Sequence, residues 1–104
     1  MIRAVYDRRE LSLRRSGHAM SAPRGEDLVC AAASILAFTA EAALEDEAER
    51  FFPRVIKKSG ELSILCEPAH GARKACRRLL DTLWYGFELL AREYPAYVRA
   101  QKED

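Results

Sequence analysis

The chain has 104 residues, enough for one hydrophobic core and too few for two, so a single domain spanning 1–104 is expected and any site must lie on its surface or between subunits. Lys and Arg number 17 against 16 Asp and Glu, a formal charge of +1 that argues against a dedicated nucleic-acid binder or an acidic tail. The cysteines are odd in number and Met1 to Asp7 lacks the apolar stretch of a signal peptide, so a reduced, cytoplasmic setting is expected.

Taken in order, Ile2 to Tyr6 alternates Ile2, Ala4 and Tyr6 with Arg3 and Val5, and Leu11 to Ser16 puts Leu11 and Leu13 on one face. Two short strands joined by the charged turn Asp7-Arg8-Arg9-Glu10 are predicted, with Arg15 interrupting the second alternation. The loop that follows holds Ser21, Pro23 and Gly25, which halt both strand and helix and let the chain fold back. From Leu28 to about Leu44 helix formers run almost unbroken, with alanines at 31, 32, 33, 37, 40, 42 and 43 permitting close packing. Its apolar run, Leu28 to Ala40, is short of the roughly 20 residues that span a bilayer, so it reads as a buried helix rather than a membrane segment.

Phe51 to Lys57 and Glu61 to Glu67 read as a hairpin across Lys58-Ser59-Gly60, with Pro53 confined to a strand start or an edge because it lacks a donor. From about Ala69 to Tyr94 the apolar positions Cys76, Leu79, Leu80, Leu83, Trp84, Phe87, Leu90, Ala91 and Tyr94 keep a three/four spacing, the mark of an amphipathic helix, and Pro95 stops it. Ala96 to Gln101 is expected to add only a short helical turn. The order ββαββα predicts an α+β fold of two layers, with two main helices packed on one face of a four-stranded sheet.

The chemistry concentrates between residues 17 and 34. His18 leaves the second strand and Cys30 enters the first helix, and the loop between them allows ring and thiol to meet. With Asp27 as N-cap, Cys30 falls in the first turn, where the positive end of the helix dipole favours a thiolate. His18 would then pair with that thiolate and later protonate a leaving amine, while the N–H groups of Cys30 and its neighbours would hold an oxyanion. Asp27 caps the helix or orients the imidazole, and the spacing does not separate the two. Ser34 lies one turn beyond Cys30 on the same face. A small buried cysteine and an isolated histidine are ordinary in proteins, so chemistry alone does not assign the pair.

The segments Gly17-His18-Ala19 and Asp27-Leu28-Val29-Cys30-Ala31-Ala32-Ala33-Ser34, separated by a short loop containing Gly25, resemble the signature of the ribosomal-processing cysteine protease family, Prp or YsxB-like, and the likeness extends through the closing Glu93-Tyr94-Pro95-Ala96-Tyr97-Val98. The resemblance implies a cytoplasmic endopeptidase, usually a homodimer, that removes the N-terminal extension of a large-subunit ribosomal protein during ribosome assembly. By position, His18 and Cys30 match the catalytic pair, and Asp27 matches a supporting acid. The loop from Ala19 through Met20 to Gly25 and Glu26 matches a segment gating the substrate groove. No cofactor or metal is implied. The pair Arg14-Arg15 departs from the apolar strand end usual in such proteins.

Three other readings compete with this one. The basic residues of the first hairpin suggest a non-catalytic ribosome-assembly module that binds without cutting. A redox or acyl-transfer protein would require a resolving cysteine near Cys30, and neither Cys66 nor Cys76 has the spacing for it. Cys66, His70 and Cys76 suggest zinc, yet both cysteines continue apolar patterns and read as core.

Overall fold

A computed structural model describes residues 1–19 and 27–104. Strand β1 (Ile2–Asp7) turns into β2 (Ser12–Ser16), helix α1 (Leu28–Glu45) and a single turn α2 (Ala48–Phe51) lead to the hairpin β3 (Pro53–Lys58) and β4 (Glu61–Cys66), and helix α3 (Arg73–Glu93) is followed by β5 (Val98–Glu103). The order across the sheet is β3-β4-β2-β1-β5. Every described pairing is antiparallel except β1 with β5, which run parallel from Ile2 beside Val98 to Asp7 beside Glu103.

The α+β class and the two-layer arrangement hold, but the sheet has five strands rather than four. Val98 to Glu103 forms a strand where a helical turn was expected. The misreading has a physical cause: β5 is an edge strand, so most of its side chains are solvated and only Val98 is buried, leaving no apolar alternation to read. The second strand begins at Ser12, not Leu11. Leu11 takes a left-handed φ of 59° and reaches the core from the turn, where the Asp7 carboxylate accepts hydrogen bonds from the backbone of Arg9 and Glu10 at 3.1 and 3.0 Å. Phe51 belongs to α2, and Pro53 opens the other edge strand, where its missing N–H costs nothing.

One sheet face, carrying Ile2, Ala4, Tyr6, Leu13, Leu62, Ile64 and Cys66, is buried, while its opposite face meets solvent. The residues buried with it are Ala37, Ala40 and Leu44 of α1 and Cys76, Leu80, Trp84 and Phe87 of α3. Tyr6, Trp84 and Phe87 stack in sequence with ring centroids 5.7 Å apart, and each such ring or aliphatic side chain contributes about 1.5–3 kcal/mol by leaving water. Helix α1 has the length and mean hydropathy, 1.6, of a short membrane span. Its Val29, Ala33, Ala37, Ala40 and Leu44 nonetheless form a buried stripe, and it packs on α3. The two helices come so close at Gly86 that a Cβ there would lie 2.4 Å from a methyl of Leu36.

Candidate active site

Strand alternation, a helix cap and a glycine turn converge on Cys30. Asp27 has extended backbone angles, φ −80° and ψ 96°, and its Oδ1 accepts a hydrogen bond from the Cys30 N–H at 2.9 Å, while its carbonyl accepts from Ala31. That is the N-cap geometry expected of an aspartate at this position. The cap also corrects one expectation. The Cys30 N–H is already engaged by Asp27, so it is not a free donor for an oxyanion.

His18 arrives from the other side. β2 ends at Ser16, and Gly17, at φ +87°, packs so tightly that a Cβ there would lie 2.2 Å from the carbonyl oxygen of Met1. The Gly17 N–H donates to the Gly60 carbonyl at 2.9 Å, and the Met1 nitrogen donates to the His18 carbonyl at 2.5 Å. Fixed in this way, the His18 ring brings Nδ1 to 3.9 Å from Cys30 Sγ, within hydrogen-bond reach for sulfur. His18 is exposed and Cys30 half-buried.

A cavity of about 280 Å³ opens beside the pair, lined by Arg15, His18, Cys30, Ser34, Ala37 and Phe38 on one side and by Lys57, Lys58, Gly60, Glu61 and Leu62 on the other. Ser34 thus shares the cavity with Cys30, one helical turn on. Ala19 is buried with Ile2, Val29, Ala33 and Val98. Met20, Gly25 and Glu26, the remainder of the expected gate, lie outside the described residues.

Arg15 is the site residue that sequence reading missed. It does not break the strand alternation: Leu13 and Arg15 both face inward, and Arg15 is only 6% exposed. Its Nη2 lies 3.5 Å from Cys30 Sγ, closer than the imidazole. An arginine at an inward position of an alternating strand is itself the signal, because burying a guanidinium is costly unless something nearby answers its charge.

The other two thiols are placed differently. Cys66 and Cys76 are buried in the core, and the hydrogen bond with Cys76, followed by burial, pushes the Cys66 thiol up. His70 is exposed, and among the described residues no group of three His, Cys, Asp or Glu side chains is arranged to hold a metal ion. At the opposite end of the sheet, the Asp81 carboxylate accepts from Tyr6 at 2.7 Å and from Arg8 at 3.0 and 3.2 Å.

The family model for cysteine protease Prp matches residues 1–99 of the chain. Among solved structures, the essential ribosomal processing protease Prp from S. aureus with a covalently linked product peptide has a TM-score of 0.83 at 20% identity, covering 99% of this chain and 100% of that one. Prp from S. aureus with a substrate peptide gives 0.76 at 19%, again over 99% and 100%. SMU.848 from Streptococcus mutans gives 0.71 at 26%, over 99% of this chain and 94% of its own. Comparison with curated proteins finds no match.

Proposed function

The chain belongs to the cysteine protease Prp family, and on that footing we propose that Cys30 and His18 are its catalytic pair and that it removes the N-terminal extension of a large-subunit ribosomal protein. The observation that carries the reading is the approach of His18 Nδ1 to Cys30 Sγ, 3.9 Å, at the capped start of α1 and in the wall of an open cavity. The solved Prp from S. aureus, which binds substrate and product peptides, supports it.

In this mechanism the Cys30 thiolate attacks the scissile carbonyl carbon, forming a C–S bond as the carbonyl π pair moves to oxygen. Collapse of that oxyanion breaks the C–N bond, and imidazolium His18 gives its proton to the departing amine. Neutral His18 then takes a proton from water, whose oxygen attacks the thioester, and the thiolate leaves as the new carboxylate forms. Asp27 supports the reaction by fixing the helix start, and Ser34 offers a hydroxyl to the same cavity.

The enzyme works as a cytoplasmic homodimer in this proposal. Ile35 on α1 and Tyr85 and Leu89 on α3, which are 63%, 64% and 56% exposed and flank the close approach of Leu36 to Gly86, supply apolar surface that a second copy would cover. The binding-module alternative is less well supported. Of the basic hairpin, Arg8 pairs with Asp81, Arg14 with Glu61, and Arg15 is buried.

The test is to incubate the protein with the host's large-subunit ribosomal proteins and find new N-termini by mass spectrometry. A single new terminus, lost with Cys30→Ser and with His18→Ala, is the expected result. Cleavage retained by Cys30→Ser would end the proposal.

A further inference from the structure

We propose that Arg15 is a fixed cationic partner of the Cys30 thiolate, so that the nucleophile carries its charge whether or not His18 is protonated. The inference rests on Cys30 being the nucleophile of the proposed protease, and its own support is geometric. Arg15 sits on β2 between Ala4 and Leu62, its partners across the sheet, with 6% of its surface exposed. Its Nε has no hydrogen-bond partner among the described residues, and none of the described ion pairs includes it. Burying a guanidinium without a counter-charge is unfavourable. Among the described residues, the acceptor its Nη2 touches is Cys30 Sγ at 3.5 Å. A thiol is a poor acceptor, whereas a thiolate supplies the missing negative charge.

The surroundings leave this role to Arg15. Lys57 and Lys58 line the far wall of the cavity, and Lys57 is engaged with Glu41. Glu61 is paired with Arg14. The Asp27 carboxylate accepts from the Cys30 N–H. His18 lies 3.9 Å from the sulfur but is solvated, so water weakens its hold, whereas Arg15 acts from the dry side and stays charged at every working pH. The division frees His18 for proton transfer. It moves between imidazole and imidazolium through the cycle without the thiolate depending on it.

The experiment measures alkylation of Cys30 by iodoacetamide between pH 5 and 9 in the full chain, beside peptide cleavage, for the wild type, His18→Ala, Arg15→Met and Arg15→Lys. His18→Ala should lose cleavage yet alkylate at pH 6 within about threefold of wild type, because the cation that holds the thiolate remains. Arg15→Met should slow alkylation at pH 6 about tenfold, the gap closing at pH 9, and Arg15→Lys should recover most of it. A His18→Ala protein that alkylates at pH 6 like an ordinary free thiol overturns the proposal. So does a folded Arg15→Met protein with the wild-type profile. If Arg15→Met does not fold, the exposed His18 site decides alone. Failure of the protease reading is seen separately, as alkylation of the expected form without cleavage of any ribosomal protein.

Discussion

Gly60 lies against the imidazole of His18: a Cβ at this position would fall 2.6 Å from Nε2. The β3–β4 turn therefore acts as a backstop for the ring, and its φ of +70° is one that alanine adopts only under strain. Gly60→Ala should cost roughly 1 kcal/mol of stability and lower the rate of peptide cleavage on the order of 100-fold by displacing the ring. Thermal unfolding and cleavage assays on the same preparation test both, and a variant as active as wild type would show that the ring position is not set from this side.

Asp27 gives a second prediction. Its carboxylate closes the first turn of α1, so Asp27→Ala should destabilise the protein by about 1 kcal/mol, with Asp27→Asn recovering most of the loss. If capping is its whole contribution, Asn should restore activity in step with stability. A folded Asp27→Asn protein that stays inactive assigns the carboxylate a charge role toward the imidazole.

Thiol counting makes a third. Cys30 is half-buried beside the open cavity, while Cys66 and Cys76 are buried together in the core. Native protein should react with one equivalent of a small thiol reagent at Cys30, and three should react in denaturant. Rapid native labelling of Cys66 would contradict the packing described.

The Tyr6–Asp81–Arg8 contact sets a pH dependence. Burial pushes the Asp81 carboxyl up, but the hydrogen bonds from Arg8 and Tyr6 outweigh it and hold the group below the ordinary carboxylate range. A depressed carboxyl binds its proton more weakly when folded than when unfolded. Its contribution is therefore complete above about pH 5 and disappears as pH falls through the folded value. Asp81→Asn should lower stability by about 1 kcal/mol at pH 7, given that Arg8 and Asp81 are themselves partly solvated. It should also flatten the decline in Tm between about pH 5 and pH 3. Equal slopes for variant and wild type would remove Asp81 from the acid transition.

The elements legible in the sequence were those whose pattern and environment agree. Helix α3 has one apolar face and one core to meet, and Asp27 stands where a helix begins. The His18 and Cys30 segments were legible through family likeness, since nothing in their spacing alone distinguishes a dyad from two ordinary residues. Arg15 was misread because polarity was taken as orientation. On a strand the backbone alone decides the face, and an inward charge marks a contact, not an irregularity. β5 was lost for the opposite reason, its solvated side chains concealing a backbone pairing with β1 that lies almost the whole chain away.

That distant pairing has a temporal side. Of the described strands β1 is made before β5, and until residues 98–103 arrive the outer edge of β1 lacks its parallel neighbour. β1 in turn braces β2, the strand that bears Arg15 and leads into His18. A chain released at Tyr97 would hold every residue of the proposed site yet lack the strand that completes its support, so synthesis order itself delays a finished site until residues 98–103 have been made.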